Sequence, residues 1–79
     1  MAKIAGWQKD LDLPHVTSWD TTRLRYKGVP EYQVTIQRHD GRGTWFLTVD
    51  QASEQLSIKE YATKAQAKKQ ALAFMRRHS

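Results

Sequence analysis

Between Thr21 and Tyr61 apolar and polar residues alternate, the period of half-buried strands. Tyr32, Val34 and Ile36 interleave with Gln33, Thr35 and Gln37. His39-Asp40-Gly41-Arg42-Gly43 then supplies turn chemistry, after which Trp45, Leu47 and Val49 resume the alternation with Phe46 and Thr48 opposite. Asp50 to Gln55 reads as a second turn. Leu56 and Ile58, with Ser57 and Lys59 opposite, predict a third strand ending near Tyr61. Upstream, Arg23, Arg25 and Lys27 alternate with Leu24 and Tyr26 before the Gly28-Val29-Pro30 break, which suggests a further strand with its basic side chains on one face.

The period changes after Tyr61. Thr63 followed by Gln66 is the T-x-x-Q form of a capping box. The residues beyond are good helix formers without Gly or Pro. Ala67, Ala71, Phe74 and Met75 fall on one helical face, Lys69 and Arg76 point away from it, and Lys64 and Lys68 flank it. Basic residues in the last turn also suit the helix dipole, an ordinary structural reason for Arg76 and Arg77.

These patterns predict an α+β fold, a three- or four-stranded antiparallel sheet packed on one C-terminal helix. The helix-facing set is Tyr32, Val34, Ile36, Trp45, Leu47, Val49, Leu56 and Ile58; Gln33, Thr35, Gln37, Phe46, Thr48, Ser57 and Lys59 form the open face, extended by Arg23, Arg25 and Lys27. Such a polar, amide-rich face suits phosphates or base edges, and it is equally the ordinary solvated side of a sheet. Residues 1–20 read as a partly irregular N-terminal segment and residues 21–79 as the single domain. Ala2 to Leu11 can form a short helix, and Leu13-Pro14-His15-Val16 must be extended or turning. Trp7 and Trp19 are expected to be lids on an exposed end of the core.

Charge sharpens this picture. Of a formal net charge of +5, the whole excess falls on Lys64, Lys68, Lys69, Arg76 and Arg77, in a stretch without a carboxylate. A folded basic helix commonly faces something anionic. A chain of 79 residues makes one small domain that buries only about 60% of its unfolded surface. The absence of cysteine excludes disulfides and thiolate metal sites and agrees with a reducing compartment. No apolar run approaches the roughly 20 residues of a membrane span, and the first residues lack the apolar core of a secretion signal. The expectation is a soluble, cytoplasmic chain with no membrane association.

The segment Trp45 to Met75, a Trp-bearing strand, a turn, a strand running into Tyr61-Ala62-Thr63-Lys64-Ala65-Gln66-Ala67 and an alanine-rich helix, resembles the arm-binding domains at the amino termini of tyrosine integrases from phages and conjugative elements. The helix start Thr63-Lys64-Ala65-Gln66-Ala67-Lys68 is also similar to the last helix of double-stranded RNA-binding domains, although Ala65 stands where a second Lys is usual there. Both resemblances imply a nucleic-acid ligand.

Catalysis has little support. His15, His39 and His78 show no spacing that places two on one face as metal ligands, and His39-Asp40 beside a glycine turn has backbone reasons to be there. No nucleophile motif is present, Gly41-Arg42-Gly43 is too short to cradle a phosphate, and nothing calls for a cofactor. Two function classes remain. The first is a small basic nucleic-acid-binding module, DNA favoured over RNA, with Arg23, Arg25, Lys27, Arg42, Lys59, Lys64, Lys68 and Lys69 as candidate contacts. The second is a stand-alone protein-binding regulator or inhibitor, of the kind phages and mobile elements encode, acting on an acidic partner surface.

Overall fold

The computed structural model describes residues 4–22, 24–26, 29–52 and 54–78. Strands β1 (Trp7–Leu13), β2 (Val16–Thr21), β5 (Tyr32–His39), β6 (Thr44–Gln51) and β7 (Glu54–Tyr61) form one antiparallel sheet in the order β1-β2-β5-β6-β7. β3 (Leu24–Tyr26) and β4 (Val29–Pro30) pair as a separate two-stranded ribbon. One helix, α1 (Lys64–Arg77), packs across β5, β6 and β7.

This corrects the expected three- or four-stranded sheet to five strands. The two additional strands come from the N-terminal segment, where a short helix was the expectation. Ile4, Trp7 and Leu11 do match a helical period, but Leu13-Pro14-His15-Val16 closes a hairpin instead. A bulge between Lys9 and Leu11 breaks the strand's strict alternation. Trp7 and Trp19 are consequently not lids: they are 5% and 7% exposed, inside the core. The strand expected around Arg23 to Lys27 belongs to the ribbon and not to the main sheet.

The core lies between sheet and helix, where Trp19, Val34, Ile36, Trp45, Leu47 and Val49 meet Ala67, Ala71 and Met75. The alanines let the helix backbone approach the sheet closely. Met75 fills the inner end at 1% exposure, whereas Phe74 is only partly buried. Its ring forms edge contacts with Trp7 at 6.3 Å and Tyr32 at 5.7 Å, and stacks on His78 at 4.2 Å. Thr63, in extended conformation, accepts a hydrogen bond from the Gln66 backbone N–H at 3.2 Å, as a capping residue should.

The second correction concerns β7. Gln51 pairs with Glu54 and Asp50 with Gln55, and continuing that register would set Leu56 against Val49 and Ile58 against Leu47, on the helix side. A bulge between Asp50 and Val49 shifts the pairing by one residue, so Ser57 opposes Val49, Lys59 opposes Leu47 and Tyr61 opposes Trp45. A one-residue slip exchanges the faces of every following side chain. Ile58 therefore lies on the far face opposite Thr48, and Leu56 and Ile58 are each 52% exposed. The shift places Tyr61, rather than Glu60, beside Trp45 where the chain turns into α1.

Candidate nucleic-acid interface

Cross-strand pairing fixes what each face of the sheet presents. On the far face, one row across the strands runs Glu60, Phe46, Gln37, Val16, Leu13. The next is Ile58, Thr48, Thr35, Ser18, Leu11, and the third Gln55, Asp50, Gln33, Asp20, Gln8. These rows hold three carboxylates and no cation. Lys9, Arg38 and Lys59, the cations of the described strands of the main sheet, sit opposite Trp19, Trp45 and Leu47, on the helix side. All the basic residues of α1 are on that side too. The helix side also holds Asp12, paired with Lys9, and Glu54 opposite Gln51, so the uncompensated positive charge is that of α1 rather than of a whole face.

The far face also contains a buried polar seam. Ser18 and Asp20 are 4% and 7% exposed. Gln33 Nε2 donates to Ser18 Oγ at 3.3 Å, and the Ser18 and Thr35 hydroxyls are 3.3 Å apart. Burial, reinforced by the charge of Asp10, holds the Asp20 carboxyl above its ordinary pKa despite a hydrogen bond from Gln33 that pulls the other way. Its Oδ1 has no partner among the described residues.

The candidate contacts do not form one surface. Arg23 and Lys27 lie outside the described residues, and of Arg25 only the backbone, within β3, is described. Arg42 is at the exposed β5–β6 turn, where Gly43 takes the positive φ of 68° and Arg42 pairs with Glu60 at 3.7 Å. Lys59 is on the helix side, not on the open face where alternation predicted it. Lys64 is half-buried, with its ammonium 5.4 Å from the Trp45 ring centroid and 3.4 Å from the Pro14 carbonyl oxygen it donates to. Lys68 and Lys69 remain on the outer half of α1, partly exposed and exposed respectively.

One residue missing from the candidate contacts, Arg77, shares a crevice with Lys59. Both line a small crevice between β7 and α1, together with Ser57, Tyr61, Gln70 and Phe74, over a floor of Leu47 and Val49. The spacing of Gln70, Phe74 and Arg77 places them on one helix flank, a signal present in the sequence; the position of Lys59 depends on the bulge, which is not. No group of His, Asp or Glu among the described residues could hold a metal ion, and no described helix is long and apolar enough to cross a membrane. Comparison with family models, curated proteins and solved structures finds no match to this chain.

Proposed function

We propose that the chain is a small nucleic-acid-binding module that lays the outer half of α1 along a phosphate backbone. The observation supporting this reading is the segregation of charge: Lys68, Lys69 and the last-turn arginines project from a helix with no carboxylate, while the far face of the sheet carries Asp20, Asp50 and Glu60. A phosphate backbone is drawn to such a helix, whereas the far-face rows offer it no cation. Docking of the far face into a groove is therefore not part of the proposal, and Lys64 serves the fold more than the ligand. DNA is placed ahead of RNA because the strand-to-helix segment resembles integrase arm-binding domains.

The test is fluorescence anisotropy with a labelled DNA duplex and an RNA duplex of the same sequence over a range of salt. The wild-type chain should bind one of them with steep salt dependence. The double variant Lys68→Ala, Lys69→Ala should bind more weakly, with a log-log salt slope shallower by about 2. Absence of salt-dependent binding to either duplex at low salt overturns the proposal.

A further inference from the structure

β7 is at the edge of the sheet, so one of its two rows of backbone N–H and C=O groups has no strand beside it among the described residues. It is eight residues long and bears two large apolar side chains, Leu56 and Ile58, each more than half exposed. On the helix side the same strand directs Lys59 into the crevice it shares with Arg77. Among the described residues none forms an ion pair with either cation.

An inward-pointing charge and a bulge are both devices that keep an edge from pairing with another strand. Here they act selectively. A neutral strand added to β7 would cover Lys59 and Arg77 without compensating them, which is unfavourable. A strand with a carboxylate at that position would neutralise both while its backbone completes the ladder. The crevice holds about 80 Å³, well short of the roughly 300 Å³ of a small-molecule site. It matches a single side chain, with Ser57 and Gln70 as additional polar groups at its rim. A second copy of this chain fits less well, because antiparallel β7 pairing about a twofold axis would bring another Lys59 and Arg77 to the same seam with only Glu54 of each strand, on that same face, to compensate them.

We infer that β7 is a docking edge for an extended acidic peptide segment of a partner protein, which adds as a sixth strand, places a Glu or Asp between Lys59 and Arg77, and covers Ile58 on the far face and the exposed Leu56 at the bulge with apolar side chains. Main-chain hydrogen bonds supply affinity in this mode, and alternate side chains supply selectivity. The site excludes Lys68 and Lys69 and shares only Arg77 with the nucleic-acid reading, so the Lys68→Ala, Lys69→Ala variant tests that reading without touching this one.

The test uses the whole chain and two acetylated peptides, one alternating Glu with Val and the other alternating Lys with Val, followed by amide hydrogen exchange and by titration. The Glu-Val peptide should protect the β7 amides that point away from β6; the Lys-Val peptide should not. The variant Lys59→Gln, Arg77→Gln should bind the Glu-Val peptide at least about tenfold more weakly. Ile58→Lys should also weaken binding, and both variants should keep the wild-type circular dichroism spectrum because they change exposed or rim positions. No β7 protection by the Glu-Val peptide overturns the inference, as does equal protection by both peptides. Protection of the same amides by a DNA duplex would reassign the crevice to phosphate. Dimers that dissociate on Ile58→Lys would reassign the edge to a second copy.

Discussion

The Lys64 ammonium stands over the Trp45 indole, 5.4 Å from the ring centroid, and donates to the Pro14 carbonyl 50 residues away in sequence. A cation in the first turn of a helix opposes the dipole by about 0.3–1 kcal/mol. Contact with the ring offsets this by a similar amount, and the bond to Pro14 ties α1 to the β1–β2 hairpin. Lys64→Ala should therefore change stability by less than about 1 kcal/mol in urea denaturation, while lowering the salt slope of nucleic-acid binding less than Lys68→Ala or Lys69→Ala does.

Thr63→Ala removes the acceptor for the Gln66 amide. The expected loss is about 1 kcal/mol, read as a lower urea midpoint with an unchanged m-value. An unaltered midpoint would show that water satisfies the first turn equally well.

The order of burial in α1 predicts an order of mutational cost. Met75→Ala empties a site at 1% exposure and should cost about 2–5 kcal/mol. Phe74→Ala should cost less than the ~3–5 kcal/mol of an enclosed phenylalanine, because solvent and the His78 ring occupy part of its surroundings. A larger loss for Phe74 than for Met75 would place the centre of the core nearer Trp7 and Tyr32.

Asp20 gives a pH dependence with a definite sign. Its folded pKa lies above the ordinary value of 3.8, so the native state binds the proton more readily than the unfolded chain. Its burden on stability is absent below the unfolded pKa, grows as pH rises through the folded value, and is constant above it. Asp20→Asn should raise the Tm at neutral pH, and the gain should shrink toward zero by about pH 3. A gain that grows on acidification contradicts the raised pKa.

Ala52 adopts φ of 50° in the β6–β7 turn, with its N–H donating to the Glu31 carbonyl at 3.1 Å. A side chain in the left-handed region costs about 1–2 kcal/mol relative to glycine, partly offset by the greater freedom glycine has when unfolded. Ala52→Gly should raise the urea midpoint slightly and leave the spectrum unchanged.

Strands β5 and β6 and the start of α1 were legible because period and turn chemistry agree there: Val34 and Ile36 face Val49 and Leu47 as alternation requires, and Thr63 caps as its spacing predicts. β1 and β2 were hidden by Ile4, Trp7 and Leu11, whose spacing satisfies a helix as well as an irregular strand. The faces of β7 are not legible in the sequence, because Leu56 and Ile58 have the right chemistry for the core; only a backbone bulge, with no residue type that demands it, leaves them exposed. The candidate contacts are scattered for two reasons: the bulge moves Lys59 to the helix side, and tertiary packing sets Lys64 over Trp45 and beside Pro14.

Neighbouring strands in the main sheet are also successive along the chain, except for the step from β2 to β5, which spans the ribbon. No pairing has to wait for a distant segment, and the cost of closing each loop stays low. Such a meander can zip from the β5–β6 hairpin outward in both directions, with α1 docking once β7 has delivered Tyr61 beside Trp45.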